Sequence, residues 1–269
     1  MAEVFGIDVS HHNGTIAWDQ VAKHKKFVIM KAQYEAQSHR IDETFEYNYK
    51  ESGRYGLARG VYIYIARHSV ADPVADANAL LAKLKGRPLE YGIWLDLEDK
   101  SVKAISKKEW TRIIYVYANI FRTAGYYVGL YCNKDWYERV LDSKSLSNDF
   151  EFWIARYPKD DKGVYNANSS LKPTKVAAAW QYSSKGSVPG IKTYCDLNVD
   201  FDGIVQLGMA NHNNPKSNRE IALEVLNNKW GTMQDKPSRK ELLEAAGYNY
   251  EEIRKIVNQL IKTGHNWNV

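Results

Sequence analysis

Four carboxylates stand where they could do acid–base work: Asp8 in GIDVSHHNG, Asp96 and Glu98 alternating in WLDLED, and Asp196 in CDLN. If WLDLED is a β-strand, residues two apart point to the same face, separated by two rises of ~3.3 Å, so Asp96 and Glu98 look into one cavity. Trp94, Leu95 and Leu97 flank them, which is not the company of a solvated charge run. Carboxylates converging from three strand ends repel one another and lose solvent, and both effects raise at least one pKa. A protonated carboxyl beside an ionised one suits glycoside hydrolysis: one donates to the leaving oxygen, the other stabilises positive charge at the sugar carbon. Two other readings stay open. Such residues also serve as caps and ion-pair partners, the preferred reading for Asp99 and Asp200. His11 and His12 lie near Asp8 and invite a metal reading, but there is no HExxH or other spaced ligand set, so no metal or cofactor is expected.

The elements that must position these groups are legible as eight apolar runs: VFGIDV, KFVIMKA, ARGVYIYIA, YGIWLDLE, YYVGLYCN, FEFWIARY, VAAAWQYS and TYCDLNVDF. Between the early ones, positions 42–49, 74–84 and 107–123 carry apolar residues at helical spacing; the last has Trp110, Ile113, Ile114, Tyr117 and Phe121. Alternating strands and helices predict an α/β fold around a largely parallel sheet, and inward polar residues at the carboxyl ends of barrel strands converge on one open face. After Arg156 the helical pattern fades into Gly, Pro, Ser and Asn, so the late strands should be joined by loops, giving an irregular barrel.

At Met209 the texture turns polar, MANHNNPKSN, and reads as a linker over 209–217 between a domain at 1–208 and a module at 218–269. In that module positions 220–226, 240–246 and 251–262 predict a small three-helix bundle, near the lower size limit for an independent core, so docking or self-association is expected as a source of added stability. Met209 could also serve as an internal translation start, releasing the module alone.

The net charge of +5 is spread along the chain, with no basic stripe, which argues against nucleic acid and suits approach to an anionic polymer such as a bacterial wall. Two cysteines, Cys132 and Cys195, are too few for a disulfide scaffold and read as reduced and buried. No apolar run approaches the ~20 residues of a membrane span, and MAEVFGIDVS lacks the basic start and apolar block of a secretory signal, so a soluble chain made without a Sec address is expected. An aromatic share of 13 %, rich in Tyr and Trp, offers flat faces for sugar rings as well as material for a core.

GIDVSHHNG, the Lys31-Ala32 pair, GVYIYIAR, WLDLE, WIARY, WQYSSKG and DLN-DF-G, in that order over 4–207, resemble the glycoside hydrolase family 25 lysozymes. The resemblance implies a flattened, irregular β/α barrel that cuts the β-1,4 bond between N-acetylmuramic acid and N-acetylglucosamine in peptidoglycan. It implies Glu98 as general acid, Asp96 as its partner, and Asp8 and Asp196 in the remaining catalytic positions. Tyr62, Tyr64, Trp94, Trp153, Tyr157, Trp180 and Gln181 match positions lining the family's groove. Where the family commonly has a Glu-Gly turn, this chain has Gln33-Tyr34-Glu35-Ala36. The nucleophile stays open between an aspartate and the substrate's acetamido oxygen.

The segment 218–261 resembles the CW_7 cell-wall-binding repeat through KWG, AAGYNY and a final VN. Trp230, Tyr248 and Tyr250 then offer ring surfaces or, equally, core staples, and Asp235 and Arg239 become candidate muropeptide contacts. A wall hydrolase with a wall-binding tail and no signal peptide reads as a phage endolysin, held in the host cytoplasm until a holin opens the membrane. Rival readings are an autolysin or bacteriocin-like lysozyme, a chitinase, and a catalytically dead peptidoglycan-binding lectin.

Overall fold

Every one of the eight apolar runs forms a strand in the computed structural model, which describes residues 3–34, 39–201, 203–204 and 216–262. The strands are β1 (Val4–Val9), β2 (Phe27–Tyr34), β3 (Arg40–Ile41), β4 (Ala58–Tyr64), β5 (Gly92–Asp96), β6 (Val128–Asn133), β7 (Phe152–Ala155), β8 (Ala179–Gly186) and β9 (Cys195–Asp200). Only β3, two residues long, was too short to leave a pattern in the sequence. The sheet runs β1-β9-β8-β7-β6-β5-β4-β2-β3, and β1 also pairs with β2, so eight strands close into a barrel with β3 on its edge. From β1 through β2, β4, β5, β6 and β7 to β8 the pairing is parallel, whereas β9 is antiparallel to both neighbours. The 23 positions from 156 to 178 that lead into β8 contain neither helix nor strand, as their Gly, Pro, Ser and Asn content led us to expect.

Helices cover the early part of the barrel: α1 (Trp18–Val21), α2 (Phe45–Arg54), α3 (Arg67–Ala71), α4 (Pro73–Leu84), α5 (Lys107–Thr123) and α6 (Ser143–Leu146). The boundaries of α5 follow from its chemistry. Ser106 accepts from the Glu109 N–H at the start, and the apolar stripe from Trp110 to Phe121 is buried against the sheet.

Inside the barrel, aromatic rings fill the lower and middle layers: Phe27, Tyr91, Trp94, Tyr127 and Trp153 belong to one cluster separate from the helix-facing core. Small residues opposite make this possible. A Cβ at Gly129 would sit 2.3 Å from the Trp94 ring, and one at Gly6 2.5 Å from Phe27, so any larger residue there would displace the ring it faces.

The carboxyl-terminal helices are α7 (Asn218–Leu226), α8 (Arg239–Ala245) and α9 (Tyr250–Lys262). Ser217 with Glu220, and Ser238 with Glu241, form reciprocal capping boxes, the S-x-x-E signature that starts a helix. The bundle is seated on the barrel domain. Trp230, Leu242 and Leu243 join the apolar cluster that includes Trp110 and Tyr117. The Asn119 amide on α5 donates to the Lys229 carbonyl at 3.2 Å, and the Lys229 ammonium pairs with Asp149. A cavity of about 690 Å³ runs between α5 and the bundle, lined in part by Arg112, Tyr115, Lys229 and Asp235. Met209 and positions 205–215, most of the expected linker, lie outside the described residues, as do 35–38 of the turn that departs from the family pattern. Among the described residues no helix is long and apolar enough to cross a membrane.

Candidate active site

The carboxylates converge because strand parity and register agree. Asp8 on β1 stands directly opposite Asp196 on β9. Asp96 ends β5, and Glu98 follows two residues on, where the ladder continues through the Leu97 N–H to the Tyr131 carbonyl. All four line a cleft of about 180 Å³ at the carboxyl end of the parallel strands, together with Tyr62, Tyr131, Trp153, Tyr157 and Gln181. This is the end at which βα barrels place their chemistry.

Burial dominates the electrostatics. The Asp8 carboxyl is pushed up to about 6 by loss of solvent and by the charge of Glu98, against the pull of hydrogen bonds from Asn198 and Gln181. Asp196 is pushed up to about 8, again by burial first and then by Asp8 and Glu98. Burial also raises Glu98, and the ammonium of Lys31 opposes that rise. The cleft therefore holds more carboxyl groups than it can ionise at once, the condition under which an acid and its conjugate base coexist near neutral pH. Asp99 and Asp200 do other work. Asp99 caps the turn Lys100–Val102, and Asp200, fully buried, accepts from the Tyr91 hydroxyl and from the Gly203 and Ile204 N–H groups. His11 points its Nδ1 at Asp42, 2.7 Å away.

The aromatic positions divide. Tyr62, Trp153, Tyr157 and Gln181 line the cleft, and Tyr64 lies beside it, its ring 5.4 Å from the Lys31 ammonium. Trp94 and Trp180 do not form its wall, which corrects the expectation for both. Trp94 shares the inward parity of Asp96 but lies one layer deeper, 0 % exposed, with its indole N–H on the Tyr91 carbonyl. Trp180 neighbours Gln181 on β8, so it must face the other way; it packs on Tyr165 and Tyr182 outside the barrel and donates to the Arg156 carbonyl.

Three cleft-side residues were not assigned to the site from the sequence. Lys31 and Tyr131 are buried on β2 and β6, and Asn198 is buried on β9. The available signal was parity: Asn198 lies two residues from Asp196, on the same face.

In the bundle, Trp230 is 1 % exposed, donates to Glu224 and meets Tyr248 edge-on, so its ring is a core staple and not a wall-facing surface. Tyr248 donates to the Lys216 carbonyl and Tyr250 to the Met233 sulfur. Asp235 accepts from the Thr232 N–H, and the Arg239 guanidinium donates to the Gly231 carbonyl, so both brace the turn between α7 and α8.

A closed barrel with opposed, buried carboxylates at the carboxyl-end face of its parallel strands defines a glycosidase-type site. The family model described as Glycosyl hydrolases family 25 matches residues 7–191, and the CW_7 repeat matches residues 219–261. The chain belongs to glycosyl hydrolases family 25, and it is a peptidoglycan hydrolase of the lysozyme type. It is similar to Lysozyme M1 of Streptomyces globisporus, 29% identical over 223 residues that make up 78% of this chain and 72% of that protein. The bacterial lysozyme of Streptomyces coelicolor superposes with a TM-score of 0.62 at 25% identity, over 80% of this chain and 100% of that one. The modular autolysin LytC of Streptococcus pneumoniae gives 0.59 at 27% identity, over 73% of this chain and 46% of that one.

Proposed function

We propose that the chain hydrolyses the β-1,4 bond between N-acetylmuramic acid and N-acetylglucosamine, with Glu98 as the general acid, and that it serves as a phage endolysin. The observation that carries the first part is that Asp96, at the end of β5, and Glu98, two residues beyond it, line one small cleft with Asp8 and Asp196. Burial disfavours the charged form of Glu98, and as general acid it gives its proton to the leaving oxygen as the bond breaks. An ionised carboxylate opposite then stabilises the positive charge that develops on the sugar ring. Reducing-end analysis after digestion of purified peptidoglycan tests this: new ends at muramic acid are expected, whereas ends at glucosamine, or cleavage of chitin alone, would refute it.

The endolysin part of the reading rests on the pairing of a muramidase barrel with a CW_7 repeat and on Cys132 and Cys195, both buried and unpaired, as suits a chain held in a reducing host cytoplasm before a holin releases it. The similarity to the autolysin LytC favours a second reading, a bacterium's own wall-remodelling enzyme. Phage structural genes and a holin beside the coding sequence support the first; a bacterial chromosomal context without them supports the second.

A further inference from the structure

Two buried side-chain amides, Asn198 on β9 and Gln181 on β8, face each other across the sheet and both donate to the same oxygen of Asp8. The distances to Asp8 Oδ2 are 2.7 Å from Asn198 Nδ2 and 2.8 Å from Gln181 Nε2. An amide can point either end at a carboxylate, so what holds these two nitrogen-first matters. For Asn198 the restraint is Trp153, whose indole N–H lies 2.9 Å from Asn198 Oδ1. Indole nitrogen is a donor only, so the amide oxygen has to face Trp153 and the NH₂ has to face Asp8. For Gln181 the restraint is a pair of hydroxyls, Tyr131 at 2.8 Å and Tyr157, both donating to Oε1.

Asp196, directly across the ladder from Asp8, receives no such amide donor among the described residues. We propose that Asn198, fixed by Trp153, is a positioning residue that confines the negative charge of the Asp8–Asp196 pair to Asp8 and leaves the shared proton on Asp196. The asymmetry decides the outcome because Asp8 accepts from two buried amides, and the one on Asn198 cannot turn away from it. Burial and mutual repulsion make a doubly ionised pair the costly state, so whichever carboxylate is better solvated by the protein ionises first.

The other charges around the pair do not reverse this. Asp96 at the end of β5 and Glu98 just beyond it face the pair, with Lys31 on β2 and the hydroxyls of Tyr62 on β4, Tyr131 on β6 and Tyr157 beyond β7. Glu98 raises both members, and Asp161, in the loop after β7, raises Asp196 further. The result is an acceptor on the β1 wall of the cleft and a neutral hydroxyl donor on the β9 wall. This role rests on the glycosidase reading of the cleft, but the proton assignment does not.

The test uses the full chain carrying ¹³C-labelled aspartate carboxyls, with Asp8→Asn and Asp196→Asn spectra for assignment. Asp8 should titrate first in the wild type, with Asp196 still protonated. In both Asn198→Asp and Asn198→Leu the Asp8 step should move to higher pH by about one pH unit, and the acid limb of the pH–rate profile on purified peptidoglycan should move with it. Trp153→Phe, which keeps the ring and frees the amide, should move both in the same direction by less. Asp196 ionising before Asp8 in the wild type, or an Asp8 step unmoved in both Asn198 variants while activity falls evenly at all pH, would overturn the proposal. Because the titration needs no substrate, a chain that failed to cut peptidoglycan would refute the proposed function and leave the proton assignment standing.

Discussion

The cleft and the carboxyl-terminal bundle treat carboxylates in opposite ways. In the cleft, Asp8, Asp196 and Glu98 are all shifted upward, because burial removes solvent faster than the surrounding donors replace it. In the bundle, Glu220 and Glu241 are shifted downward by the serine hydroxyls and backbone N–H groups of their capping boxes. One region sets local preferences against one another and the other satisfies each of them. Conflict of this kind is costly and persists where chemistry requires it, whereas agreement across levels is what makes a small helical unit fold.

The sharpest way to break the comparison is to remove the conflict. Glu98→Gln should cut lysis by ~10²–10⁴-fold, because the amide keeps the shape but carries no proton to deliver. Turbidity loss of purified walls measures it, with circular dichroism showing an unchanged fold; activity within a few-fold of the wild type would assign the acid elsewhere. Next in size is an assault on the satisfied region. Trp230→Ala should destabilise the bundle by about 3–5 kcal/mol, the usual cost of deleting a buried indole. An early urea transition should appear while cleavage of soluble muropeptides persists.

A third experiment reads the conflict as stability. Asp196 holds its proton in the folded chain up to about pH 8, well above the ordinary aspartate value near 3.8 of an unfolded chain. Between those limits the native state binds more protons than the unfolded state, so this group's contribution falls as pH rises through that window and levels off above it. Asp196→Asn should remove that slope and stabilise the protein at pH 8 by more than about 1 kcal/mol, at the expense of activity. Thermal melts at pH 5 and pH 8 test it; a wild type whose stability rises across that range would contradict the sign. The smallest effect is expected where a single satisfied cap is lost. Ser238→Ala should cost about 1 kcal/mol, read as a lower melting temperature of the bundle with no change in cleavage.

The residues that were legible and those that were not differ in a physical way. Asp96 and Glu98 could be placed on one face from sequence because period-two alternation is a local property of a strand, and the same holds for the stripe on α5 and for the S-x-x-E caps. Trp94, Trp180 and Trp230 have the same side-chain type as Trp153, yet only Trp153 reaches the cleft. Parity assigns Trp94 inward and, had it been applied to the adjacent pair, would have separated Trp180 from Gln181. Depth is a different matter. Whether an inward ring lines a cleft or lies beneath it depends on where along the barrel axis its strand is cut off, and that is set by register with neighbours far away in sequence.

Lys31 and Tyr131 were not assigned to the cleft from sequence because a lone polar residue in an apolar strand carries no mark of its partners, whereas Asn198 shares the parity of Asp196. The amino-acid sequence by itself determined the strands, the helical stripes, the caps and the shared face of Asp96 and Glu98, because each depends on bonds and side-chain spacing within a few residues. Only the tertiary structure decided that Asp8 meets Asp196, that Asn198 turns its nitrogen toward Asp8, and that the bundle rests on α5. Those facts depend on closure of the barrel through β1 and β2 and on the antiparallel entry of β9, which bring together groups separated by as many as 190 positions.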